Sequence, residues 1–335
     1  MSYFLFFLGF VILIFGAKFL VDGAASIGKK AGLSQLVIGL TVVALGTSLP
    51  ELVINVFASL DGNTGLAIGN VLGSNIMNTL LIIGIAATIY PIKMPSRKCR
   101  TDVLFSLLAT VVLLVLANDV FFGKSENLIN RTDGFILLAF LGAFLYYSFF
   151  MEENEGTEDG SIKLYGLPLS LVFIVGGGLG LFFGGKWIVS GATQIAGAYG
   201  ISDTFIGLTI VAVATSLPEL VTSVIAAMKK NTALAIGNAV GSNVFNVFLV
   251  LGSSSVITSI PFDTGLNLEL VILFFSGLLL IVFIRKDFGK PEMAISRIEG
   301  GILISLYILY FILLINKEEF IACLQSLWSS LLFFL

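Results

Sequence analysis

The sequence predicts an all-α integral membrane protein of about ten transmembrane helices, arranged as two inverted-topology five-helix repeats. Three observations carry that expectation. The 335-residue chain is 57% hydrophobic, has a mean hydropathy of +1.04 and is only 12% charged, where soluble domains carry about 25%. Apolar runs of about 17–25 residues, long enough to cross a bilayer as a helix, recur from end to end. The chain also repeats itself. Sliding residues 17–84 onto 185–252 without a gap gives 35 identities in 68 positions.

Charged and turn-rich segments place the spans near 3–22, 35–60, 66–90, 103–118, 132–150, 166–189, 203–228, 233–258, 268–284 and 299–315. The first apolar run has no basic n-region and no small-residue cleavage site, so it is expected to be retained as a span. Spans one to five make a first repeat at 1–150, and spans six to ten a second at 166–316. Between them lies an acidic cytoplasmic linker at 151–165, whose EENEGTEDG lacks the ligand order of a calcium-binding EF-hand loop. Residues 317–335 are expected to form an interfacial helix or a short extra span.

Five spans per repeat is an odd number, so the second repeat enters the membrane upside down relative to the first. Such repeats place their site at the bilayer midplane, on interrupted helices. Loop charge sets the orientation. With the N-terminus outside, the inner loops hold 13 Lys and Arg and the outer segments 3. Lys18 and Lys186 are expected near span ends, where they can snorkel. The protein is therefore expected to be a multi-pass protein of the cell membrane with its N-terminus outside.

Several function classes are excluded. The chain has no histidine, which removes Ser–His and Cys–His nucleophiles and His-ligated metals. No GxGD-type aspartate pair occurs in the spans, so an intramembrane hydrolase is not expected, nor any other enzyme. A net charge of −3 without a basic arm offers nothing to a nucleic acid. Cys99 and Cys323 lie on opposite faces of the expected topology, which argues against a disulfide framework. No cofactor and no obligate protein partner is indicated.

The repeat concentrates polar residues inside apolar runs. VVALGTSLPELV at 42–53 returns as IVAVATSLPELV at 210–221, and GNVLGSNIMN at 69–78 as GNAVGSNVFN at 237–246. Thr47 with Glu51 and Ser74 with Asn78 are spaced i, i+4, as are Thr215 with Glu219 and Ser242 with Asn246. Each pair therefore shares one helix face. Hydroxyl, carboxylate and amide oxygens are hard donors suited to Na+, Mg2+ or Ca2+. Pro50 and Pro218 remove a backbone N–H and crowd the carbonyl four residues back. That frees oxygens around Gly46 and Ala214, with Ala44 and Ala212 nearby. Free carbonyls at membrane depth are tolerated only where they line a cavity or meet a ligand.

Each of these features also has an ordinary explanation. A proline can simply kink a helix, Gly69/Gly73 and Gly237/Gly241 can serve helix packing, and Ser or Thr can bond back to its own helix. The glutamates resist such explanations. An ionised carboxylate at the bilayer centre costs a few kcal/mol or more, and no Lys or Arg shares those spans at similar depth. Protons or bound cations must compensate Glu51 and Glu219. Two carboxylates match one Ca2+ or two Na+. A site satisfied by either ion, but not by both at once, couples two gradients.

The paired GTSLPE…GSNIMN and ATSLPE…GSNVFN segments resemble the alpha repeats of the Na+/Ca2+ exchanger family, within the cation/Ca2+ antiporter superfamily. The resemblance covers the ten-span plan and is specific at the repeats. It implies exchange of Na+ for Ca2+ by alternating access, with spans one and six sliding past a rigid core and helices 2, 3, 7 and 8 broken. The ligands it implies are Thr47, Ser48, Glu51, Ser74 and Asn78 with Thr215, Ser216, Glu219, Ser242 and Asn246, and the carbonyls of Ala44 and Ala212. The glutamates would hold Ca2+ centrally, and the hydroxyls would complete flanking Na+ sites. Ala214 departs from the first repeat's Gly46. Asn78 and Asn246 are both amides, whereas some relatives, including the potassium-dependent branch, carry an aspartate in the second repeat, so K+ cotransport is not expected. The linker is too short for calcium-sensing domains. An H+/Ca2+ or other divalent-cation exchanger is the alternative, although GNVLGSN and GNAVGSN replace the GNxxE-type signature of that branch. A passive cation channel is a further rival, distinguished by flux that needs no counter-ion.

Overall fold

The computed structural model describes residues 2–31, 44–93, 97–123, 125–150, 163–199, 202–228, 230, 232–285 and 294–316. Most of the linker and the segment 317–335 lie outside the described residues. The first half runs α1 (Ser2–Lys30), α2 (Ala44–Thr47), α3 (Leu49–Leu60), α4 (Thr64–Ile76), a π-helical stretch (Met77–Ile82) and α5 (Ile83–Ile89), then α6 (Arg97–Ala117) and α7 (Arg131–Phe150). The second half runs α8 (Leu167–Tyr199), α9 (Asp203–Ile206), a π stretch (Gly207–Val211), α10 (Ala212–Thr215) and α11 (Leu217–Met228). It continues with α12 (Thr232–Phe245), a π stretch (Asn246–Leu251), α13 (Gly252–Ile257), α14 (Asn267–Arg285) and α15 (Arg297–Ile315). Among the described residues, six helices are long and apolar enough to cross a membrane, or seven if the bent α9–α11 segment is one span.

Two expectations about helix ends need correction. α1 and α8 run to Lys30 and Tyr199, past the expected ends at 22 and 189. With 29 and 33 residues they extend roughly 44 and 50 Å, well over a hydrocarbon core of about 30 Å. Such helices must tilt or emerge from it. Lys18 and Lys186 consequently sit well inside these helices rather than near their ends, with exposed side chains.

A glycine register explains how α1 and α8 pair antiparallel. Gly9, Gly16 and Gly23 recur every seven residues, as do Gly177, Gly184 and Gly191. A Cβ on Gly16 would stand 2.8 Å from the Gly177 carbonyl oxygen, and one on Gly184 would stand 2.8 Å from the Gly9 carbonyl oxygen. Only hydrogen fits there, so backbone meets backbone along the seam. Phe6, Leu13, Ile188 and Val189 flank it as a buried apolar cluster.

The helix breaks fall where the prolines direct them. Ser48 separates α2 from α3 at φ −88°, ψ 4°, and Ser216 separates α10 from α11 at φ −82°, ψ 3°. Pro50 and Pro218 occupy the second position of the following helix, where the missing N–H costs no hydrogen bond. At Ser216 the axis turns by 43°. The other two expected breaks are corrected by the structure. The helices at 64–89 and 235–257 are continuous and absorb their irregularity as π turns beginning at Met77 and Asn246. Neither segment contains a proline, so an extra residue widens the turn instead of severing it.

Short bridges tie the halves together crosswise. Ile92–Lys93 pairs antiparallel with Ala294–Ile295, and Leu128–Ile129 pairs antiparallel with Ile260–Pro261. Position 92 matches 260 at the 168-residue offset, so the same partnership occurs twice with the halves exchanged. Arginines repeat the pattern. An Arg131 guanidinium N–H donates to the Ile257 carbonyl at 3.4 Å, and one from Arg297 donates to the Ile89 carbonyl at 3.4 Å. Each cation meets the C-terminal end of the opposite half's long helix, where its charge complements the helix dipole. The larger apolar core surrounds the π-bearing helices, with Ile76, Leu80, Phe248 and Leu251 fully or almost fully buried.

Candidate cation site between the halves

Glu51 enters the site from the first turn of α3, and Glu219 from the first turn of α11. Both are completely buried. Each break thus delivers its carboxylate to a helix N-terminus, whose free N–H groups favour negative charge. The two carboxylates are near enough for their charges to interact. Among the described residues, neither is paired with a lysine or arginine.

Hydroxyls converge on the carboxylates from both halves. Ser216 Oγ donates to Glu51 Oε1 at 3.4 Å, and Ser242 Oγ donates to Glu219 Oε1 at 3.2 Å. Thr47 and Ser48 of the first half lie near Glu219, as Thr215 lies near Glu51. Ser74 Oγ and Thr215 Oγ1 lie 3.5 Å apart. What is left over matters most. Glu51 Oε2, Glu219 Oε2, Ser48 Oγ, both polar atoms of Asn78 and Asn246 Oδ1 are buried without a hydrogen-bond partner. Buried polar atoms are rarely left so, and a cluster of unpaired oxygens beside two carboxylates calls for positive charge.

The structure brings the side chains of Thr47, Ser48, Glu51, Ser74, Thr215, Ser216, Glu219 and Ser242 together, with Asn78 and Asn246 on the π turns nearby. Thr47 is half-buried, and the other nine are buried. The Ala212 carbonyl accepts the Ser216 N–H at 3.0 Å and lies 3.3 Å from the Thr215 hydroxyl oxygen, so in this conformation at least one of its lone pairs is engaged within its own chain segment. Ala44 opens the described segment at the start of α2. Gly46 is pressed against α1, since a Cβ there would stand 2.1 Å from Val21 Cγ2.

Residues outside the expected set complete the site. Asn55 and Ser223 lie a turn below the glutamates, while Asn70, Asn75, Asn238 and Asn243 line α4 and α12. All are buried and linked by hydrogen bonds. The signal was present in the repeat, because GN and GSN return unchanged at both positions. Their role was hidden because the residues at the ends of these links come from the other half. Among the described residues there is no group of three or more His, Cys, Asp or Glu that could hold a metal. Two carboxylates amid neutral oxygens instead suit hard cations that bind and leave.

Comparison with known proteins finds relatives along almost the whole chain. The sequence model of the sodium/calcium exchanger protein family matches residues 1–150 and 169–316. A putative antiporter CaxA of Alkalimonas amylolytica is 34% identical, over 92% of this chain and 97% of its own. The sodium/calcium exchanger MaX1 of Methanosarcina acetivorans is 32% identical, over 92% of this chain and 96% of its own. Among solved structures, the sodium-calcium exchanger NCX_Mj soaked with Na+ and Sr2+ aligns with a TM-score of 0.64 at 32% identity, covering 92% of this chain and 97% of that one.

Proposed function

Because the chain belongs to the sodium/calcium exchanger protein family, we propose that it is an antiporter exchanging Na+ for Ca2+ across the membrane by alternating access. Its site would be the oxygen cluster between the halves. The observation that carries this reading is the pair of buried carboxylates, each with an unpaired oxygen and, among the described residues, no basic partner. A single Ca2+ neutralises both glutamates, and so do two Na+, which makes occupancy by one ion exclude the other. Hydroxyl and amide oxygens from both halves complete the coordination shell. Ligands drawn from both halves let a relative shift of the halves alter access to the site.

In this reading the chain forms ten spans as two inverted repeats, with the N-terminus outside the cell membrane. The crossed bridges and exchanged arginine contacts support the two-fold relation. The glycine seam lets α1 and α8 travel as a pair past the remaining helices. The reading is tested with purified protein in sealed vesicles, following 45Ca2+ uptake driven by an outward Na+ gradient. Uptake should require that gradient and respond to membrane potential if more than two Na+ move per Ca2+. Uptake indifferent to Na+ but driven by a pH gradient would replace Na+ with H+ as the counter-ion. Flux with no counter-ion would make the protein a channel.

A further inference from the structure

The buried amides outside the ligand set form two chains of hydrogen bonds with a fixed direction. In the first, Asn55 Nδ2 donates to the Ala67 carbonyl at 2.9 Å, Asn70 Nδ2 donates to Asn55 Oδ1 at 2.7 Å, and Thr215 Oγ1 donates to Asn70 Oδ1 at 3.1 Å. In the second, Ser223 Oγ donates to the Ala235 carbonyl at 3.1 Å, Asn238 Nδ2 donates to Ser223 Oγ at 3.1 Å, and Thr47 Oγ1 donates to Asn238 Oδ1 at 3.3 Å. Every residue in one chain stands 168 positions from its counterpart in the other.

The direction follows from the anchor. A backbone carbonyl can only accept, so the first side chain must donate to it and offers its remaining oxygen to the next. That forces the amide of Asn70 or Asn238 to turn its NH2 inward and its oxygen towards a threonine of the opposite half. A threonine hydroxyl that gives its single proton to that amide oxygen turns lone pairs, not a hydrogen, to its other side. The Val211 carbonyl, 3.0 Å from Thr215 Oγ1, draws the proton of that residue the same way. The same logic orients Asn246. Asn75 Nδ2 donates to the Asn243 carbonyl at 3.3 Å, and Asn246 Nδ2 donates to Asn75 Oδ1 at 3.0 Å, which leaves Asn246 Oδ1 unpaired.

We propose that Asn70, Asn238 and Asn75 are positioning residues, held by backbone carbonyls so that Thr215, Thr47 and Asn246 present oxygen lone pairs rather than hydrogens to a cation. The proposal rests on the cation-site reading above but not on which cations are carried. Replacing Asn55 by Ser223 in the second chain alters the group without altering the direction, since amide and hydroxyl can both donate and accept. A packing role would not require that property.

The test compares half-saturating Na+ and Ca2+ in vesicle uptake, and in thermal stabilisation of the detergent-purified protein by NaCl and CaCl2. Asn70→Leu and Asn238→Leu should each raise the half-saturating concentration about five- to tenfold, the loss of one hydrogen bond, with maximal rate changed less. Adding Asn70→Leu to Thr215→Ala should have no further effect, because the amide acts through that hydroxyl. The exchange variant Asn55→Ser with Ser223→Asn should retain wild-type half-saturation, whereas Asn55→Ala with Ser223→Ala should not. Wild-type half-saturation in the leucine variants, an undiminished effect in the Thr215→Ala background, or alanine and exchange variants that behave alike would overturn the positioning role while leaving the transporter reading intact. A wild type stabilised by neither salt would overturn both.

Discussion

The two halves of this chain use one set of parts and differ at a few positions, which shows what the site demands of each. Ser48 and Ser216 break their helices at nearly the same dihedrals, and the prolines, glutamates and crossed arginines correspond one for one. The carboxylates are nevertheless dressed differently. Glu51 Oε1 takes its 3.4 Å bond from Ser216 of the opposite half, whereas Glu219 Oε1 takes its 3.2 Å bond from Ser242 of its own. Asn238 also donates to the Glu219 backbone carbonyl at 3.2 Å. A repeated sequence has therefore produced an asymmetric lining. That asymmetry is what a site needs if it is to hold one divalent ion or several monovalent ones.

The largest effect tests whether both carboxylates are needed. Glu51→Gln and Glu219→Gln should each lower Na+-dependent 45Ca2+ uptake by about a hundredfold or more, since each removes half of the compensating charge. One variant with near wild-type uptake would assign the charge to a single half. Next come the glycines of the α1–α8 seam. Gly16→Val and its counterpart Gly184→Val should each cost about 1–3 kcal/mol by overpacking, read as a lower midpoint in thermal unfolding. If only one of them did so, the seam would be less symmetric than its register.

The Gly46/Ala214 difference gives a smaller and directional effect. Gly46→Ala drives a Cβ against Val21 Cγ2 and should lower stability by about 1–3 kcal/mol, with recovery on adding Val21→Ala. Ala214→Gly meets no such obstacle and should cost about 1 kcal/mol, the helix-propensity difference. Smallest is the arginine pair. Arg131→Ala and Arg297→Ala should each cost about 1 kcal/mol, with equal shifts in unfolding midpoint. Unequal shifts would show that one membrane face holds the halves together more firmly.

Much of this was legible in the sequence because the repeat writes its message twice. The 168-residue offset, the proline breaks and the two stranded glutamates were visible, and the structure places those glutamates in one buried cluster. The lengths of α1 and α8 were not, because Asp22 and Gly23 in one and Gly191 in the other look like span ends. In fact those glycines serve a packed seam. The π turns were also hidden, since a helix that widens by one residue keeps its apolar composition. The amide chains lay in plain view as GN and GSN, but a sequence gives no sign that Asn70 answers Thr215 or that Ser223 stands in for Asn55. Contacts between distant strangers are the part that one-dimensional reading loses.

The crossed bridges have a bearing on biosynthesis. Ile92–Lys93 waits for Ala294–Ile295, and about 200 residues must emerge between them, which takes roughly 10–40 s at common translation speeds. For about the first 120 residues of that stretch the nascent first half holds Glu51 and an amide chain whose threonine partner, Thr215, has not yet been made. Assembly in the membrane must then tolerate an unfinished polar surface until the second half arrives to close it.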